Sequence, residues 1–71
     1  MSYRVIWSER SQKDLSRLDK KTIGRIITKV NGIKENPFLY VKRLVGVPLY
    51  SLRAGDYRVI MDIKNRQLII F

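Results

Sequence analysis

The chain has 71 residues, which is room for one domain and a modest core, so its free fold should be only marginally stable. Hydrophobic residues make up 45% of it and aromatics 10%, too many for a disordered tail. The net charge of +9, from 15 Lys and Arg against 6 Asp and Glu, calls for a polyanionic or acidic partner: nucleic acid first, an acidic protein second, an anionic membrane surface third.

Cysteine and histidine are both missing. A disulfide framework, a thiolate or His-ligated metal site and an imidazole base are thereby excluded, so neither metal nor cofactor is expected. Any chemistry falls to carboxylates, Lys, Tyr and oriented Arg. The opening Met1-Ser2-Tyr3-Arg4 carries no long apolar run, so no signal peptide, membrane span or membrane partner is expected, and the cytoplasm is the default location.

In chain order, Tyr3 to Trp7 is the first expected strand, because aromatic and β-branched residues precede Ser8, a suitable helix N-cap. A short helix then runs from about Glu9 to Leu18, burying Leu15 and Leu18 and leaving Arg10, Lys13 and Arg17 solvated. Asp19 caps a second helix, from Thr22 to about Lys34. There Ile23, Ile26, Ile27, Val30 and Ile33 form one apolar stripe at helical spacing. Gly24 and Gly32 weaken this helix and Asn36-Pro37 ends it. The short connection makes the two helices an antiparallel hairpin.

Phe38 to Val47 then reads as an extended crossing segment containing the basic pair Lys42-Arg43. Three strands follow, Leu49 to Ala54, Tyr57 to Ile63 and Arg66 to Phe71, with turns at Gly55-Asp56 and Lys64-Asn65. The order β-α-α-β-β-β implies an α+β fold, an N-terminal strand and helical hairpin packed on a curved, mostly antiparallel sheet.

The Gly55-Asp56 turn makes side-chain pairing readable. With Ala54 opposite Tyr57, one face holds Ala54–Tyr57, Leu52–Val59 and Tyr50–Met61 and belongs under the helices. Tyr50 and Tyr57 are thus core residues, as is Trp7. The other face holds Arg53–Arg58, Ser51–Ile60 and Leu49–Asp62 and is open, or covered only by a partner. Like charges directly opposite destabilise a strand pair, by roughly 0.2–1 kcal/mol on the scale of cross-strand pairs. An anion-binding protein gains from such a pair, since two guanidinium forks on a rigid sheet can grip a phosphate. Two Arg splayed into solvent, or one paired with Asp62, is the alternative. The cations Arg10, Lys13, Arg17, Lys20, Lys21, Arg25 and Lys29 fit a solvated helical hairpin as well as they fit RNA docking.

The run Leu52-Arg53-Ala54-Gly55-Asp56-Tyr57-Arg58-Val59-Ile60 resembles the hairpin motif of RelE/ParE-superfamily toxins. Tyr3-Arg4-Val5-Ile6-Trp7-Ser8 with its following helix, and Lys42-Arg43-Leu44 with Gly46, fit the same pattern, so the resemblance spans essentially the whole chain. It implies a fold similar to small microbial ribonucleases and a toxin of a type II toxin–antitoxin system. RelE-type members cut mRNA on the ribosome, by attack of a ribose 2′-OH on the adjacent phosphate, and are neutralised by an antitoxin, expected here to be acidic. Carried over by position, Arg58 and Arg53 are the catalytic candidates, Arg58 matching the family's phosphate-binding Arg. Lys42, Arg43 and Ser51 are the RNA-binding candidates. Ser51 and Leu49 stand where some bacterial members carry Lys, so the general-base role has no obvious holder. Members usually continue past an end such as Leu68-Ile69-Ile70-Phe71 with a basic segment and a late Tyr. The resemblance therefore implies a single domain over residues 1–71 without that segment, expected by itself to be non-toxic, to keep RNA binding and to cleave RNA negligibly. Two other readings fit the charge: a ParE-type toxin that poisons DNA gyrase by binding, and a basic nucleic-acid-binding module without catalysis.

Overall fold

The computed structural model describes residues 2–71. Strand β1, Arg4–Trp7, ends at Ser8, whose hydroxyl accepts from the Ser11 N–H at 3.1 Å and starts helix α1, Glu9–Ser16. The buried Ser11 is satisfied in return, its hydroxyl donating to the Ser8 carbonyl at 2.8 Å. Helix α1 stops two residues before the expected Leu18. Its end tightens into bonds to the third residue back, Arg17 N–H to the Asp14 carbonyl and Leu18 N–H to the Leu15 carbonyl. Leu15 and Leu18 are only partly buried, against the edge of the core.

Asp19 is extended and accepts from the Thr22 N–H at 3.2 Å, so helix α2 runs from Lys20 to Gly32. Both ends lie two residues earlier than Thr22 to Lys34. A cap binds the third residue after it, so capping of Thr22 puts the start at Lys20. At the other end Pro37 disfavours helical backbone at Asn36, and the chain unwinds just upstream. Ile26, Val30 and Ile33 of the apolar stripe are buried and Ile23 is partly so, while Ile27 is exposed.

The segment Phe38 to Val47 is not one extended crossing. Pro37–Leu39 forms a turn of 3-10 helix, favoured by proline's fixed φ at a first helical position, and only Lys42–Arg43 is strand, β2. A loop through Gly46 closes with the Leu44 N–H on the Leu49 carbonyl at 2.9 Å. Strand β3 is Tyr50–Ala54, β4 is Tyr57–Lys64 and β5 is Gln67–Ile70. The last turn lies one residue later than Lys64-Asn65: Lys64 pairs with Gln67, leaving Asn65 and Arg66 as loop residues. Both have positive φ, 51° and 58°, the backbone of a type I′ turn, and Asn enters that region more readily than Lys.

The sheet order is β1-β5-β4-β3-β2, antiparallel throughout except for the parallel β1–β5 pair. Two helices on a five-stranded, mostly antiparallel sheet make the α+β fold that the element order implied. Burial follows strand alternation. Leu52, Ala54, Val59, Met61, Ile63, Leu68 and Ile70 form one continuous core with Ile26 and Val30 of α2 and Ile33 at its C-cap. No helix among the described residues is long and apolar enough to cross a membrane.

Candidate functional site

The β3–β4 hairpin has the register read from its turn, with Tyr50 opposite Met61, Ser51 opposite Ile60, Leu52 opposite Val59, Arg53 opposite Arg58 and Ala54 opposite Tyr57. Among the described residues only Gly55 has positive φ in this turn, 64°, and it occupies the first loop position, where a type II′ hairpin places glycine. The face assignment holds for Leu52, Ala54, Val59 and Met61, which are buried, and for Tyr50, which is partly buried. Tyr57 is the exception. It is 43% exposed, because it stands at the hairpin's end beyond the shelter of the core. Trp7 is partly buried against the core, as a packing residue should be.

On the opposite face Arg53 and Arg58 are exposed, and Ser51, Ile60 and Asp62 are half-buried. Asp62 pairs with Lys64 at 3.5 Å, and no carboxylate lies within ion-pair distance of Arg53 or Arg58 among the described residues. Arg53 and Arg58 are neighbours at the backbone, and their side chains extend to different flanks. The Arg53 Nε–H donates weakly to the Gly55 carbonyl, at 3.5 Å, and the side chain lines a groove against α2. Arg58 borders a smaller cleft shared with Leu15 of α1, Tyr57 and Phe71. The pair therefore brackets the end of the hairpin, with one fork on each side.

Lys42 pairs with Ser51, so these two share the open face with Arg53 and Arg58. Arg43 pairs with Tyr50, and alternation sends it to the helix-side face, away from the other four. Tyr3, Phe38 and Tyr50 meet edge to face near this end of the sheet, with centroids 6.5 and 5.5 Å apart. Two further residues stand at the site: Arg25, which the sequence offered only as one of seven helix cations that fit solvent as well as RNA, and Tyr40, which it did not mark. Arg25 of α2 brings its guanidinium to 3.6 Å from where a Cβ would stand on Gly55, so it joins Arg53 at the turn. Tyr40, 55% exposed, lines the same groove. A helix position four residues from Lys21 and Lys29 marks Arg25 as one of a row, but only the packed fold shows that this row faces the hairpin. Among the described residues no group of three or more His, Cys, Asp or Glu side chains is placed to hold a metal ion.

Residues 5–71 match the family described as ParE toxin of type II toxin-antitoxin system, parDE. The chain belongs to the ParE toxin family. It is thus a type II toxin–antitoxin toxin of the RelE/ParE superfamily. The fold agrees with this placement. The chain is similar to the RelBE2 toxin–antitoxin complex of Mycobacterium tuberculosis, with a TM-score of 0.91 and 20% identity over 99% of this chain and 93% of that one. It is similar to a mutant of the Escherichia coli toxin RelE in the free state, with a TM-score of 0.82 and 23% identity over 99% of this chain and 79% of that one. The archaeal RelE–RelB complex of Pyrococcus horikoshii gives a TM-score of 0.81 and 29% identity over 99% and 90%. No curated protein sequence matches the toxin.

Proposed function

We propose that this toxin arrests translation by binding mRNA on the ribosome and promoting its cleavage, with Arg58 and Arg53 on the phosphate backbone. The observation that carries the reading is an unpaired, like-charged arginine pair on an exposed sheet face. It costs the fold something and gives it no ion pair in return. In the reaction, a ribose 2′-hydroxyl, giving its proton to solvent, would attack the adjacent phosphorus, the 5′-oxygen of the next nucleotide would leave and take up a proton from solvent, and a 2′,3′-cyclic phosphate would form. Charge builds on the phosphoryl oxygens, and fixed cations stabilise it. Lys42 and Ser51, on the same face, would contact the flanking backbone, and Arg43 would act from the sheet edge. Guanidinium groups hold phosphate but do not transfer protons, and the chain has no His. These residues therefore serve binding and charge stabilisation more than acid–base chemistry.

The partner that holds such a toxin in check would be an acidic antitoxin lying across its cationic surface. The charge of +9 supports this, as does likeness to chains solved as RelBE2 and RelE–RelB complexes. Adding that antitoxin at low salt should raise the melting temperature by mass action on the folded state, and an unchanged melt would count against the assignment. The family match itself favours a second reading, inhibition of DNA gyrase by binding. A ribosomal translation assay scored for mRNA cuts, run beside a gyrase supercoiling assay, decides between them. Cuts, or stalled translation lost with Arg58→Ala, support the RNA reading. Inhibited supercoiling with intact mRNA supports the gyrase reading. Activity in neither assay leaves the non-catalytic binding module.

A further inference from the structure

The arginine pair does not account for a second concavity of the molecule. Between α2 and the hairpin turn lies a groove of about 670 Å³, bordered by Lys21, Arg25 and Lys29 on one wall and Arg53 and Tyr40 on the other. Among the described residues no acidic side chain lines it, and Asp56 lines an adjoining recess that shares Lys29, Tyr40, Arg53 and Gly55 with it. The three helix cations recur every fourth residue, about 6 Å per step along the axis. Successive phosphates of a single strand can match that spacing. Arg53 belongs both to this groove and to the open face, so the groove leads directly to the arginine pair.

We infer that the α2–hairpin groove is a binding track for single-stranded RNA, in which Lys21, Arg25, Lys29 and Arg53 hold the backbone and the exposed Tyr40 ring stacks a base. This rests on the RNA reading above and extends it from the end of the hairpin along a strand. Charge complementarity selects a polyanion, and the remaining lining decides which one. The apolar side chains of the groove, Ile33 and Ala54, are already 2% and 3% exposed and committed to the core. An amphipathic acidic helix would find no apolar anchor beyond Tyr40. A nucleic acid needs none, because it is bound through phosphates and through the faces of its bases. Tyr40 suits the second role. The rings of Tyr3, Phe38 and Tyr50 are engaged with one another, whereas no ring pairs with Tyr40 among the described residues.

The test is fluorescence anisotropy of the purified chain with a labelled single-stranded RNA, titrated across a range of salt, with a thermal melt of every variant. For Arg25→Ala with Lys29→Ala, affinity should fall, and the slope of log affinity against log salt should become shallower by about 0.7 for each phosphate no longer neutralised. Tyr40→Ala should weaken binding by about tenfold at unchanged slope, and Tyr40→Phe should restore it, since stacking uses only the ring. Tyr40→Leu, which keeps the bulk, should bind like Tyr40→Ala even if the alanine variant melts early. RNA affinity and slope unchanged in the groove variants would overturn the inference. If Arg58→Ala still abolished translation arrest in that case, the functional reading would stand without the track. Groove variants that lose binding to polyglutamate, but none to RNA, would reassign the groove to an acidic protein and equally overturn it.

Discussion

The two faces of the β3–β4 hairpin differ by one residue of register and by everything they do. Leu52, Val59 and Met61 on the covered face are almost fully buried, and each contributes apolar area to the core. Arg53 and Arg58 on the open face are exposed, pair with no carboxylate among the described residues and repel one another. One face of the element thus carries the core, and the other carries the arginines proposed above to recognise an anion. Substitutions should therefore sort by face, with effects on folding and on binding that do not overlap.

The largest expected effect comes from the covered face. Met61→Ala should cost about 2–5 kcal/mol, the usual range for emptying a fully buried site. A chain of this length has little stability in reserve, so the melting temperature should fall on the order of ten degrees or more, measured by circular dichroism. An unaffected melt would show that the covered face is not the core. Arg53→Glu tests the other side. Turning a like-charged cross-strand pair into an opposite-charged one should raise stability by a few tenths to about 1 kcal/mol while weakening RNA binding severalfold. A less stable variant would mean that Arg53 supports the fold. The smallest effect concerns neither face. Hydrogen bonding from Thr22, through its side chain first and its backbone N–H second, holds the Asp19 carboxyl below its usual range. Its folded pKa is depressed, so the cap's contribution is present above the unfolded value and fades as pH falls through the folded one. An acid titration followed by hydrogen exchange should show the first turn of α2 loosening there, and Asp19→Asn should flatten that dependence.

How much of the molecule is legible in its sequence depends on how local the determinants are. The hairpin register can be read to the residue, because a two-residue turn containing Gly55 leaves few alternatives and alternation does the rest. Element ends are less legible. The cap at Asp19 is visible, but the tightening at Arg17 and Leu18 and the unwinding before Pro37 depend on how the chain docks. Phe38 to Val47 misleads because its apolar residues suggest a strand, while Pro37 and Gly46 give most of it to turns. Of the site residues, Arg53, Arg58, Ser51 and Lys42 share a face that period-two reasoning can find. Arg25 and Tyr40 reach the site across separate elements, and no spacing within either one announces that meeting.

The central claim, that the open-face arginines serve an RNA ligand and not the fold, is tested most directly by Arg58→Ala measured two ways on one preparation. The melting curve should stay close to that of the parent, within about 0.5 kcal/mol as for other exposed sites, while RNA binding weakens and its salt dependence becomes shallower. A variant that unfolds, or one that binds RNA with the parent's affinity and salt slope, would contradict the claim.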